Sequence, residues 1–339
     1  MDKIIVPMSY MGSGSSAVTD LLREYEGINT KNSDFEYVFL YAPDGLFDLE
    51  YKLLYNNNAI RSDEAIKSFR KLMQELYIYG GWGIANYKEK ISQNFINIVD
   101  SYLNTIVTSK YHGIWYYHQK PTKVDWIIRV IKRVLFKKTA KLKQLQLEMS
   151  MISSEDFYEK SRKFIVDVIK QISDTEENIV LDQLLLPHNL NLIDNYKIDG
   201  LLPIIVSRDP RDVFIMNKYF WKPRNQEVPY PTDVKTFCNY YKMMRENEKK
   251  TNTLALRLNF EDLVLNYEET KQDIENFIGI DSIHHKAKFE YFNPAISVNN
   301  LQVYNRDDKY REEVEVIELE LSEYLYNFKE RIVSTGDVF

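Results

Sequence analysis

The chain has 339 residues, of which 44% are hydrophobic and 28% charged. That is the balance of a soluble globular protein and excludes a disordered tail or a collagen-like fibre. Its 44 Lys and Arg against 50 Asp and Glu give a net charge of −6, so no nucleic-acid binder held by counterion release is expected. The length allows a large core without staples, in one large or two medium domains. The single cysteine, Cys238, excludes an intrachain disulfide and argues against a Cys-based zinc site. The opening apolar run, Ile4–Val6, is too short for a secretory leader, and no apolar stretch reaches the roughly 18 residues of a membrane span. A cytoplasmic, reducing setting is expected.

Short apolar runs bounded by turn residues recur along the chain at Ile4–Met8, Phe35–Leu40, Ile179–Asp182, Pro203–Ser207 and Thr253–Leu258. Each has the length of a buried strand in a parallel sheet. Helical patterns separate them: Ala17, Val18, Leu21 and Leu22 follow the first run, and Phe157 to Ile172 precedes the third. The alternation predicts a three-layer α/β fold with a central parallel sheet of about five strands, in a single domain over 1–339. Residues 51–153 exceed what a crossover between parallel strands needs. They read as a helical, aromatic insertion capping the sheet's functional edge. A last helical block, Tyr310 to Phe328, turns Val314, Ile317, Leu321, Tyr324 and Leu325 inward and is expected to dock on the sheet.

The first strand runs into Gly12-Ser13-Gly14-Ser15-Ser16 and then directly into a helix. Small residues let the backbone close on a phosphate, while the helix N-terminus offers free N–H groups and a favourable dipole. This opening is P-loop-like, although the Lys that follows the glycines in the ATPase pattern is absent. The plainer reading is a tight turn into a helix capped by Ser15 or Ser16. The run Pro203–Ser207 leads into Arg208-Asp209-Pro210-Arg211-Asp212-Val213. Here Asp209 suits an N-cap and Pro210 a first helical residue. Arg208 then falls at the carboxyl end of a strand, where ligands bind in open α/β sheets, and its fork suits a phosphate monoester. The plainer reading pairs Arg208 or Arg211 with Asp209, Asp212 or another carboxylate.

Taken with Arg257-Leu258-Asn259-Phe260-Glu261-Asp262-Leu263-Val264, these two motifs resemble the sulfotransferases that use 3′-phosphoadenosine 5′-phosphosulfate. The resemblance covers about residues 3–50 and 155–328. It implies a 5′-phosphosulfate loop at Gly12, Ser13, Gly14, Ser15 and Ser16, and a 3′-phosphate site at Arg208. It also places Phe260 in the family's aromatic position and residues 293–306, with Tyr304 and Arg306, in its cofactor-covering loop. The segment Phe35 to Glu50 looks like the bacterial members that act on glycans. The implied function is sulfuryl transfer to a hydroxyl of a carbohydrate acceptor, such as a cell-surface or capsular polysaccharide or its precursor, with no metal. Three departures stand out. Gly12 occupies the position of the family's loop cation. Met216 replaces a Ser, with Asn217 as a stand-in. The covering loop lacks its Arg-Lys-Gly run, leaving Arg306 or Lys309. A P-loop kinase of a small molecule or sugar, and an inactive nucleotide- or glycan-binding module, are the alternatives.

General-base candidates are Glu36, Asp182 and His188, in that order. Glu36 falls in the expected second strand, Asp182 ends the third, and His188 lies twenty residues before Arg208. Their plainer readings are a strand-surface carboxylate, a turn cap and a loop residue after Pro187. His112, His118, His284 and His285 lack partners at metal-ligand spacing, and Cys238 reads as packing. Between Lys120 and Lys143 stand nine Lys or Arg and one acid, Asp125. Over residues 126–143, Trp126, Ile127, Val130, Ile131, Val134 and Leu135 recur at helical spacing. Such a helix can meet an anionic membrane, here the inner membrane surface, or an acidic polysaccharide. The plainer expectation, ranked first, is a core-packed helix with a solvated basic face.

Overall fold

The computed structural model describes residues 3–10, 12–31, 35–78, 85–114, 123–136, 144–172, 178–226, 229–332 and 336. Its centre is a five-stranded parallel sheet whose strands lie side by side in the order Ile28–Asn29, Asn178–Val180, Ile4–Ser9, Leu201–Ser207 and Leu256–Asn259. The strands are β1 (Ile4–Ser9), β2 (Ile28–Asn29), β5 (Asn178–Val180), β6 (Leu201–Ser207) and β7 (Leu256–Asn259). β1 lies between β5 and β6, with Ile4 opposite both Ile179 and Leu201. Alternation along each buried strand sends successive side chains to opposite faces. Ile4, Val6, Met8, Ile179 and Ile205 face the layer built from the insertion. Ile5, Val180, Ile204 and Val206 face Val18, Leu21, Leu22, Leu263 and Ile274 on the other side.

Four of the five expected strands form at or near their expected positions. The fifth does not: Phe35–Val38 is irregular and Phe39–Leu40 turns. The two-residue strand Ile28–Asn29 takes the edge place beside β5. The apolar run at 35–40 is buried for another reason. Phe35 and Phe39 pack edge-on against Tyr87, whose hydroxyl accepts the Val38 N–H at 2.9 Å. Periodicity alone does not separate such a core-filling loop from a buried strand.

The insertion is mixed rather than purely helical. Its helices Ala59–Tyr77 and Phe95–Ile106 pack on the following helix, Ser154–Ile169, through Phe69, Tyr102 and Phe164, with Tyr102 and Phe164 stacked at 4.6 Å. Asn58 and Ser153 cap the first and third of these helices by accepting backbone N–H bonds. An antiparallel pair, β3 (Ser109–Gly113) and β4 (Leu145–Met149), completes it. The helix Lys123–Phe136 contradicts the expectation of a core-packed helix. Its apolar residues from Val124 to Leu135 are exposed, from Val130 at 39% to Val134 at 71%. The remainder of the expected 126–143 helix, residues 137–143, lies outside the described residues.

The last helix is Arg311–Glu320, shorter than expected. Val314, Ile317 and Leu321 do turn inward, but they join Phe214, Phe237, Cys238 and Tyr241. The helix therefore docks on helices Pro210–Ile215 and Val234–Glu246 instead of on the sheet.

Candidate functional site

Because the sheet strands run parallel, the ends of β1, β5, β6 and β7 open on one edge, flanking the central strand. β1 delivers the Gly/Ser loop. The Ser13 N–H donates to the Tyr10 carbonyl at 2.9 Å and closes the turn. Gly12 and Gly14 hold φ of 80° and 97°, conformations that favour glycine. The helix Ser15–Arg23 is capped by Gly14 itself, without a side-chain bond, not by Ser15 or Ser16. Ser15 is thereby free for another task. Its hydroxyl accepts from Ser9 Oγ and Gln183 Nε2, both at 3.3 Å, and its nearness to the Asp182 carboxyl favours the ionised form of that group. Ser13 is fully buried and Ser16 is exposed.

β6 delivers Arg208. Asp209 caps the following helix by accepting the Arg211 N–H, with Pro210 in the first turn. The two arginines divide the readings open to them. Arg211 forks onto Asp209 through Nε at 3.0 Å and Nη2 at 2.7 Å, and reaches Glu318 at 2.7 Å. Arg208, 4% exposed, forms no ion pair among the described residues. Its Nη2 donates to the Asn300 carbonyl at 2.6 Å, its Nη1 lies 3.5 Å from the Gly12 carbonyl, and its Nε has no partner among the described residues. The guanidinium sits 5.1 Å from the centre of the Phe260 ring, and that ring also underlies Gly14. Phosphate loop, Arg208 and Phe260 are thus one cluster.

The carboxyls around Arg208 are deeply buried. Burial pushes Asp212 up to about 7 and Glu261 up to about 8, with Arg208 pulling each back. Asp212 accepts the N–H groups of Gln302 and Tyr304, and Glu261 accepts that of Asp209. Residues 293–306 therefore lie over this end of the sheet, tied down by Arg208 and Asp212. Arg306 holds the same segment from its far end, donating to the carbonyls of Asn299 and, at 2.9 Å, Gly336. Lys309 is exposed and pairs with Asp307. Asn217 is buried and donates to the Tyr230 carbonyl at 3.1 Å.

The three general-base candidates occupy adjoining places. Asp182 lies two residues past β5, pushed up to about 7 by burial, with the charges of Glu36 and Asp20 adding to the effect. Glu36 is not on a strand. It sits half-buried in the irregular 35–38 segment, pushed up by burial, and its charge acts on both Asp182 and Tyr41. His188, in the turn Pro187–Asn189, is pushed down by burial. It lines a cavity of about 350 Å³ with Tyr41, Asp48, Asn191 and Lys249.

Sequence reading missed Gln183, Ser9, Asn300 and the Tyr10 surroundings. Gln183 was findable as the neighbour of a strand-end Asp. Tyr10, inside the loop itself, donates to Glu248, which also binds Arg257, while the Arg245 guanidinium lies 4.6 Å over the Tyr10 ring. Nothing local in the sequence signals that grouping. Among the described residues no group of three or more His, Cys, Asp or Glu is placed to hold a metal ion. No helix there is long and apolar enough to cross a membrane.

No protein-family model and no curated protein matches the chain. Among solved structures it is similar to the sulfotransferase domain of the Synechococcus PCC 7002 olefin synthase. The identity is 11% and the TM-score 0.39, over 96% of this chain and 95% of that one.

Proposed function

We propose that the chain is a sulfotransferase that uses 3′-phosphoadenosine 5′-phosphosulfate to sulfate a hydroxyl of a carbohydrate. The observation that carries this is Arg208, a buried, permanently charged fork without a carboxylate partner, beside a left-handed Gly/Ser loop. A buried cation without an anion is costly, and a bound phosphate would offset that cost with charge-assisted bonds. The surrounding atoms fit such a ligand. Ser13 Oγ and Arg208 Nε, both donors, are buried and lack partners among the described residues.

In this reading Arg208 holds the 3′-phosphate, and the helix start at Gly14–Ser16 holds the 5′ end. When bound, the donor supplies a sulfuryl group on a phosphate leaving group. Asp182, close to Ser15, takes the proton of the acceptor hydroxyl. A carboxyl that ionises near 7 is matched to that work. Gly12 brings no side-chain cation to the leaving phosphate, whose charge is met by the N–H groups and dipole of the helix start. The cavity beside His188 carries amides, a carboxylate and an amine suited to sugar hydroxyls.

Calorimetric titration with 3′-phosphoadenosine 5′-phosphate tests the reading. Micromolar binding, about −8 kcal/mol, which Arg208→Ala weakens about tenfold or more, is expected. Absence of binding overturns it, and binding of ATP with magnesium dependence would put a kinase in its place.

A further inference from the structure

The helix Lys123–Phe136 combines two features that globular helices rarely share. At helical spacing, Trp126, Ile127, Val130, Ile131, Val134 and Leu135 occupy one arc of about 180°. Every one of them is exposed, from 39% to 71%. Soluble proteins seldom leave a contiguous apolar face of this extent open, and where they do it marks an interaction surface. Lys132 and Arg133 are exposed and fall at the two margins of that arc. This pattern, apolar arc with flanking cations and a Trp, is that of helices lying in the plane of a bilayer interface.

We propose that this helix docks the protein on an anionic lipid surface, its apolar arc in the acyl boundary and its basic margins against lipid phosphates. Charge distribution selects this occupant. The segment from Lys120 to Lys143 holds nine basic residues and one acid, within a chain of net charge −6, leaving the remainder at −14. An anionic bilayer therefore attracts this segment and repels the rest, which orients the molecule helix-down. A second copy of the chain is a poorer fit. Two-fold pairing through this face would bring the Lys132 and Arg133 margins of one helix towards those of the other. The inference is independent of the sulfuryl-transfer reading.

The test uses the full chain, sedimented with vesicles of phosphatidylcholine alone or mixed with phosphatidylserine. Two variants accompany it: Ile131→Asp on the apolar arc, and Lys132→Glu with Arg133→Glu on its margins. All three positions are exposed, so melting temperatures should match the wild type. Sedimentation is expected only with phosphatidylserine present, and each variant should reduce the bound fraction about tenfold or more. Failure to sediment with phosphatidylserine vesicles overturns the proposal, as does binding that neither variant changes. A concentration-dependent dimer dissolved by Ile131→Asp, without vesicle binding, would give the face to a second copy. Retention on an acidic polysaccharide without vesicle binding would give it to a glycan.

Discussion

Arg208 donates to the carbonyl of Asn300, 92 residues later, at 2.6 Å. The strand-end cation thus also holds the segment that covers the same edge of the sheet. Asp212 gives that segment a second hold through the Gln302 and Tyr304 N–H groups. A ligand that recruits Arg208 is therefore coupled to the order of residues 298–306. Arg208→Ala should speed amide exchange at Leu301 and Gln302, and the bisphosphate nucleotide should slow exchange there in the wild type only. Equal exchange in both proteins, with and without nucleotide, would uncouple the loop from the site.

Arg211 is expected to behave oppositely to its neighbour. Its fork neutralises Asp209, whose side chain is fully buried. Arg211→Ala leaves that carboxylate unpaired and should cost about 3 kcal/mol, the penalty for breaking a buried pair from one side. Urea unfolding measures the loss. Nucleotide affinity, measured where the variant is folded, should change far less than in Arg208→Ala. Loss of binding without loss of stability would exchange the two roles.

Asp182 and Glu36 separate by pH profile. A general base must be ionised, so turnover should rise through about pH 7, where Asp182 titrates. Asp182→Asn should abolish turnover while nucleotide binding persists. Glu36→Gln removes a like charge that raises Asp182, so the rise should move to lower pH with turnover retained. If Glu36→Gln instead abolishes turnover, Glu36 is the base.

These pairs show what the sequence made legible. The strand–loop–helix at residues 4–23 and the Arg208 turn were readable because each is local: glycines, a cap and a proline at fixed offsets. The same holds for the helix Lys123–Phe136, whose amphipathic spacing was visible although its exposure was not. What periodicity could not supply was the partner of each buried group. Phe35–Leu40 has the composition of a strand, yet Tyr87 turns it into a core-filling loop. The Ser9–Ser15–Gln183 network joins three elements and has no signature in any one of them. The choice between Arg208 and Arg211 as the paired arginine was likewise settled only by side-chain geometry, Arg211 forking onto Asp209 and reaching Glu318 on the far C-terminal helix.

Gly14 is a point where backbone and ligand site coincide. Its φ is 97°, and a Cβ there would stand 2.9 Å from Phe260 Cδ2. Gly14→Ala is strained by its dihedral and must also displace the ring beneath Arg208. A loss of about 1–2 kcal/mol in thermal stability is expected from the dihedral alone. The displaced Phe260 should weaken nucleotide binding as well. Phe260→Leu combined with Gly14→Ala relieves the clash and should recover part of the stability but not the dihedral cost.

Glu261 gives the fold a pH dependence with a definite sign. It is fully buried, accepts the Asp209 N–H at 2.8 Å, and is pushed up to about 8 by burial. An unfolded Glu ionises near 4.3, so between about pH 4 and 8 the folded state holds a proton that the unfolded state releases. Stability from this group is complete below the lower value and is lost as pH rises through the upper one. Glu261→Gln keeps an oxygen for the Asp209 N–H and removes the titration. The variant's melting temperature should therefore gain on the wild type as pH increases from 5 towards 8.5, within the span set by those two values. A constant difference across that range would mean that Glu261 ionises at its ordinary value, and that Arg208 already has a carboxylate beside it. The phosphate site would then lose the uncompensated charge on which it rests.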